Sequence, residues 1–262
     1  SIWDEDKKSI FLARDPYGIK PLYYSCYNGV LRFASLVKAL LTSVDIPKTI
    51  DPAGIVGFYL QGYVPEPYTT YKNIKALPAG SRLWITKEGP GKVDQYFSIS
   101  QCFYEGQLNP YKNTESVQEI ITSAFSDSIS RHLVSDVPIG AFLSAGIDSS
   151  AVVGVAAPML QKAGDNIQTI TLAFEEFKKT NNDESPLAET IASFYKTEHK
   201  TKIITQNEFN LNIDRILNVM DQPSVDGINT WFISKVAKEQ GLKVMLSGLG
   251  GDELLGGYSS FD

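Results

Sequence analysis

Two rhythms of apolar and polar residues divide the chain. In its first part short β-type runs are broken by turn residues, and the pattern predicts strands at 9–13, 22–27, 31–34, 81–85 and 93–97. Asn28-Gly29, between two of these runs, predicts a hairpin, since both central residues of such a tight turn take positive φ. Residues 51–61 read as a helix, and 64–68, with two prolines, as a loop. From 101 to 113 the pattern turns polar and turn-rich, which reads as a domain junction.

Beyond the junction helix and strand alternate. Val117, Ile120, Ile121, Ala124 and Phe125 share one helical face, and 137–143 is an apolar run of strand length. Val152, Val155, Ala156 and Met159 mark the next helix, which Pro158 is expected to end or kink. A strand at 169–174 comes next, then a helix carrying Leu187, Ala188, Ile191, Ala192 and Tyr195. After a short strand at 201–204 come a helix with Phe209, Ile213, Ile216, Leu217 and Met220, another with Phe232, Ile233, Val236 and Ala237, and a strand at 243–246. Such alternation implies an α/β fold: right-handed crossovers and a parallel sheet with helices on both faces.

Composition narrows the classes. With 262 residues, 43% of them hydrophobic, the chain can build one large core or two moderate ones. A net charge of −6 without a Lys/Arg cluster argues against nucleic acid as the main partner, and no apolar run is long enough to span a membrane. Cys26 and Cys102 stand far apart in no metal-ligand spacing, so two ordinary thiols in a reducing cytoplasm are the default, with a disulfide left open. The charged start lacks the apolar core of a signal peptide. A first residue other than Met and an end in mid-pattern lead one to expect a piece of something longer.

Two predicted strands run into polar, glycine-bearing turns. Leu143 leads into Ser144-Ala145-Gly146-Ile147-Asp148-Ser149-Ser150, and Leu246 into Ser247-Gly248-Leu249-Gly250-Gly251-Asp252-Glu253. In an open parallel sheet ligands bind at the carboxyl ends of strands, so both turns open on one edge. Backbone N–H groups at a helix start, with the hydroxyls of Ser144, Ser149 and Ser150, suit phosphate oxygens. An aspartate in each turn, Asp148 and Asp252, would repel phosphate unless a cation lay between, which points to magnesium. A single turn of this kind is as often a plain helix cap; two of them, each with Asp, weaken that reading. The G-x-x-x-x-G-K-[ST] P-loop is absent.

The first turn resembles the S-G-G-x-D-S-S loop of the ATP pyrophosphatases. The run from Leu246 to Tyr258 resembles the second signature of one branch of these, the glutamine-dependent asparagine synthetases. Residues 14–24, RDPYGIKPLYY, and Phe33-Ala34-Ser35 look like the closing segments of that family's class II, Ntn-type glutaminase domain. The resemblance implies the end of the glutaminase domain and its connection over 1–108, and the first part of an ATP-pyrophosphatase synthetase domain over 109–262. It implies amidation of a carboxylate, aspartate by default, through an acyl-adenylate: pyrophosphate leaves ATP, and ammonia drawn from glutamine displaces AMP. Ser144, Gly146, Ser149 and Ser150, with Ala145 and Ile147 in the same loop, would hold the pyrophosphate. Asp148 and Asp252 would serve as catalytic metal ligands for Mg2+. Leu143, Leu172, Ser247 and Gly248 match positions around the adenosine. The partners implied are small molecules, and a homodimer stays open.

Departures from the family pattern are informative. Ala145 replaces a glycine, which works only if the backbone there keeps negative φ. Leu249 stands where the family has a glutamate, and residues 222–227, QPSVDG, lack the family's threonine and arginine of the aspartate-binding region. These leave open an acceptor other than aspartate, including ring closure, or a non-catalytic nucleotide-binding relative. The family's amino-terminal cysteine nucleophile is not at Ser1, and neither Cys26 nor Cys102 matches its position, so this chain by itself is expected not to hydrolyse glutamine; the family's phosphate-neutralising lysine at the ATP site would come after Asp262. His132 reads as a capping or surface residue, His199 as packing at a helix-to-strand turn, and Trp231-Phe232 as core. Arg14 and Asp15 are expected to form an ion pair, and the charged loop 178–185, with Asp183 and Glu184, to be solvated surface.

Overall fold

Antiparallel pairing organises the first part of the chain and parallel pairing the second. The computed structural model describes residues 1–111 and 114–255 and divides into two compact units, Ser1–Pro110 with Leu217–Gly227, and Tyr111–Ile216 with Ile228–Asp262. The part of the second signature from Gly256 to Tyr258 lies outside the described residues.

In the first unit, β1 (Ile2–Asp4), β2 (Ser9–Ala13), β6 (Ser81–Thr86) and β7 (Gly89–Pro90) form one sheet, with β8 (Asp94–Gln95) also on β6. A second sheet holds β4 (Val30–Ala34), β3 (Tyr23–Tyr27) and β5 (Lys75–Ala76). The β3–β4 turn is the expected hairpin, with Asn28 at φ 50° and Gly29 at 74°. Strict alternation along β6 buries Ser81, Leu83 and Ile85, and Leu12 and Leu77 complete that core. A short helix α1 (Val37–Leu40) supplies Val37 and Leu40 to a second cluster with Ile46 and Ile74. Helix α2 (Pro52–Gln61) starts where Asp51 accepts from Ala53 N at 3.1 Å, and stops at Gly62 in the left-handed region.

Three expectations for this unit are corrected. The strand at 93–97 shrinks to Asp94–Gln95, because the Gly80 carbonyl accepts from both Tyr96 and Phe97 N–H and turns the chain. The expected turn-rich stretch is helical as far as Leu108: α3 (Ile99–Leu108) starts on Ser98, whose hydroxyl accepts from Gln101 N at 3.3 Å. That helix buries none of its residues, so no apolar face announces it. Arg14 does not pair with Asp15. Its guanidinium bonds Glu66 and the carbonyls of Gly18, Lys20 and Leu77, while Asp15 accepts backbone N–H bonds from Tyr17, Ile19 and Lys20. Against the burial that pushes it up, those N–H groups hold the Asp15 carboxyl below the usual carboxylate range. Both residues therefore fasten the turn that follows them rather than each other.

In the second unit, α4 (Thr114–His132) leads to β9 (Ile139–Phe142), α5 (Ile147–Lys162) and β10 (Gln168–Phe174). A single 3-10 turn, α6 (Ser185–Phe194) and β11 (Glu198–Ile204) come next, then α7 (Gln206–Val219), α8 (Gly227–Glu239), β12 (Val244–Leu246) and α9 (Gly251–Leu255). The strands pair in parallel in the order β11-β10-β9-β12. Alternation along β9 sends Ile139, Ala141 and Leu143 into a core with α4, α5 and α6, and Phe142 into a cluster with Val236 and Ala237 of α8. Both faces are covered, as the apolar runs of the strands require.

Helix α5 passes through Pro158 to Lys162. Proline removes one N–H bond, but Val152, Val153, Ala156 and Ala157 of this helix are buried in the core, and that packing holds the last turn. Strand β11 begins at Glu198, three residues ahead of its expected start, so His199 lies within it. There its Nδ1 is 2.9 Å from Thr169 Oγ1 and its Nε2 3.2 Å from Thr201 Oγ1. Thr169 also bonds Thr197, and Thr201 donates to Glu189. A polar ladder that satisfies itself lets the pairing extend where the sequence lacks apolar alternation. His132 ends α4 on the surface, its Nδ1 2.8 Å from the Ser128 carbonyl. Asp183 is more than solvated surface, since it accepts from Lys179 N and Ser185 N and shapes the start of α6.

Burial lowers the His199 pKa, against the raising effect of Glu189. A folded-state pKa below the unfolded one gives stability that is present above about pH 6.5 and is lost as the pH falls through the folded value. Thermal melts from pH 8 down to 5 are expected to show such a loss, and His199→Gln to flatten it; equal pH slopes in both proteins would contradict the assignment.

Candidate functional site

The order β11-β10-β9-β12 means that the chain runs outward from β9 to β10 and β11, then returns to the other side of β9 as β12. Directions diverge between β9 and β12, and the crevice at their carboxyl ends is where open α/β sheets take ligands. Val244, Met245 and Leu246 pair with Ile139, Gly140 and Ala141, so both strands end together. The turns after Leu143 and Leu246, a hundred residues apart in sequence, thus emerge side by side.

They also touch. A Cβ on Gly248 would lie 2.9 Å from Ser149 N and 3.0 Å from Asp148 Cβ, and one on Gly251 would lie 2.2 Å from Asp148 Oδ2. The Asp148 carboxylate therefore rests over the backbone of the second turn, in space that only glycine leaves open. Asp252, next in the chain, has its carboxyl pKa raised by burial, then by the charge of Asp148 and of Glu253. Two carboxylates that feel each other suit a shared divalent cation with oxygen ligands. Among the described residues no group of three or more His, Cys, Asp or Glu could hold a metal, so further ligands would have to be phosphate oxygens or water.

The first turn opens α5 with Gly146 as its N-cap, at φ −66° and ψ 153°, and no side chain caps it. The N–H groups of the first helical turn thus have no side-chain cap, and the positive end of the helix dipole lies behind them. The hydroxyls of the three serines bond within the turn. Ser149 is buried and donates to the carbonyls of Ser144 at 2.8 Å and Gly146 at 3.2 Å, while Ser150 donates to Gly146 O at 2.7 Å. Ser144 Oγ lies 2.9 Å from Ser149 Oγ and accepts from Gly146 N at 3.3 Å. These bonds fold the turn. Ala145 is not among the residues with positive φ, so its methyl group is accommodated.

Leu143 is buried, its N–H bonded to Ile170 O at 2.9 Å, and its carbonyl accepts from Thr171 Oγ1. Leu172 is half-buried on β10, beyond the last β10–β9 pair. Ser247 accepts from Leu249 N at 3.2 Å, and Leu249 itself projects outward, 80% exposed, as does Ile147 at 87%. Gln222–Gly227 belongs to the first unit. Gly251 and Thr171 were not legible as site residues: the doubled glycine at 250–251 was a signal for the former, and nothing marks the latter.

Residues 121–262 match the asparagine synthase family, and residues 1–97 the glutamine amidotransferase domain. Asparagine synthetase [glutamine-hydrolyzing] 1 of Bacillus subtilis (strain 168) is 33% identical over 99% of this chain and 39% of its own length. A putative asparagine synthetase [glutamine-hydrolyzing] 2 of Methanocaldococcus jannaschii is 32% identical over 98% of this chain and 48% of its own length. Amidase chyE of Penicillium rubens is 26% identical over 99% and 39%. The chain spans less than half the length of these relatives.

The glycines separate stability from positioning. Gly248→Ala sets a methyl against backbone and is expected to cost about 1–3 kcal/mol in denaturant unfolding. Gly251→Ala meets only the end of the Asp148 side chain, which can swing away, so its expected effect is a fall of the Asp252 pKa toward the ordinary carboxylate range, read by NMR titration. An unchanged Asp252 titration would show that Asp148 does not act on it.

Proposed function

The chain belongs to the asparagine synthase family, and from that membership we propose that it forms part of an ATP-dependent, AMP-forming ligase that amidates a carboxylic acid. In this reading residues 1–108 are the closing part of a class II glutaminase domain with its connection, and 109–262 the first part of the synthetase domain. The observation that carries it is the contact between the two turns, with Asp148 laid over Gly251 and beside Asp252. An acid oxygen attacks the α-phosphorus of ATP and pyrophosphate departs, leaving an acyl-adenylate. Ammonia then attacks the acyl carbon and AMP departs with the bonding pair, yielding the amide.

The residues divide this work. Charge growing on the departing pyrophosphate meets the N–H groups at the start of α5, which are fixed before reaction and need no reorganisation. Ser149 and Ser150 hold that turn in shape through its carbonyls. Asp148 and Asp252 would hold magnesium, which when bound neutralises phosphate charge. Leu143, Leu172, Ser247 and Gly248 lie on the strand ends proposed to flank the adenosine. Cys26 in β3 and Cys102 on α3 are both exposed, and partial burial pushes the Cys26 thiol up rather than down, so neither suits the role of glutaminase nucleophile. Among the described residues no helix is long and apolar enough to cross a membrane.

Leu249 favours a second reading of the acceptor. An exposed leucine can neither move a proton nor accept a hydrogen bond, which supports an acid other than aspartate.

Pyrophosphate exchange into ATP by the full-length protein, run with magnesium and a panel of acids, tests both readings. Exchange with aspartate alone supports asparagine formation, exchange with another acid supports the second reading, and none with any acid overturns the ligase assignment. Asp148→Asn and Asp252→Asn are each expected to weaken Mg-ATP binding by about tenfold or more, roughly 1.4 kcal/mol, in calorimetric titration. Unaltered affinity would remove the metal assignment.

A further inference from the structure

The chain leaves the second unit after Ile216, enters the first as Leu217–Gly227, and returns at Ile228. A plain linker between units makes few contacts. This one is fastened at three places within the first unit. Asp221 accepts from the N–H groups of Val37 and Lys38, both at 2.8 Å, where α1 begins, and Lys38 Nζ donates to the Asn218 carbonyl. Gln222 accepts from Thr70 N at 2.9 Å and donates to Thr70 Oγ1 at 3.3 Å. Past these, Val225 N donates to Gly62 O at 2.9 Å at the end of α2, and Ser224 pairs with Tyr63 in an antiparallel bridge. Gly62 is required there, since its φ is 77° and a Cβ would come within 2.9 Å of the Val225 side chain.

The next element along the chain is stiff. Helix α8 starts at Gly227 and buries Phe232, Val236 and Ala237, the last two against Ile170 of β10 and Leu242. The chain then enters β12, and β12 ends in the turn that carries Gly248, Gly251 and Asp252. Along the chain the anchored segment is thus followed directly by a packed helix, one strand and the turn that carries Asp252.

We propose that Leu217–Gly227 couples the two units, with Asp221 as its positioning residue, so that ammonia release in the full glutaminase domain, which the first unit closes, is matched to the state of the site in the second. The proposal rests on the ligase reading above. Its distinguishing feature is that loss of the anchor separates two activities rather than removing either.

The test uses the full-length protein and Asp221→Ala, with amide formation measured from glutamine and from ammonia, and glutamate release measured in parallel. Ammonia-dependent amidation and glutamate release are expected to stay within about twofold, while glutamine-dependent amidation falls about fivefold or more and glutamate released per amide rises by the same factor. Equal loss of both amidations, or an unchanged ratio of glutamate to amide, overturns the coupling role. Thr70→Val, which deletes one bond to Gln222 with little change of shape, is expected to act in the same direction but less strongly, and serves if Asp221→Ala does not fold. Absence of amide from any acid in the unaltered protein sinks the ligase reading and this proposal with it, an outcome distinct from equal loss.

Discussion

The site depends first on the parallel pairing of β12 with β9. Each strand alone is a short apolar run that ends in a polar turn. Paired in register from Ile139 to Ala141, they deliver their turns to one point. The order in which the chain visits the sheet makes that point the place where its path reverses, so no crossover helix covers it. A one-residue slip would reverse the faces of β12 and carry Asp252 away from Asp148.

Glycine sets how near the turns can come. Gly248 lets the second turn lie against the backbone of Asp148 and Ser149, and Gly251 accepts the Asp148 carboxylate over its α-carbon. The result is two aspartates held together where α5 starts without a side-chain cap, and burial first, then the charges of Asp148 and Glu253, raise the Asp252 pKa. Such an arrangement is costly by itself and sensible beside a bound cation. The buried Ser149 hydroxyl belongs to the same arrangement, because it donates to the carbonyls of Ser144 and Gly146 and holds the turn in shape.

Much of this was readable from residue order. Asn28-Gly29, the helix at 51–61 and the strand at 81–85 rest on local signals, and local physics decided them. Where the reading failed, a distant partner intervened. Gly80 captured Tyr96 and Phe97; the core held α5 beyond Pro158; Glu66, fifty-two residues away, took the guanidinium expected to pair with Asp15. Helix α3 escaped notice for the opposite reason, since it buries nothing and so has no apolar stripe to betray it.

The two glycine-bearing turns, their aspartates and the alternation of helix with strand are properties of the sequence alone, because each rests on neighbours a few residues apart. The sequence could say that both turns end strands. Which strand would lie beside which, and hence that Asp148 would rest on Gly251, was decided by tertiary structure. So was the capture of Leu217–Gly227 by the first unit, through a carboxylate that reaches N–H groups more than 180 residues distant in the chain. Contacts of that range leave no periodic trace in the sequence, since they depend on where whole elements pack and not on the order of residues around them.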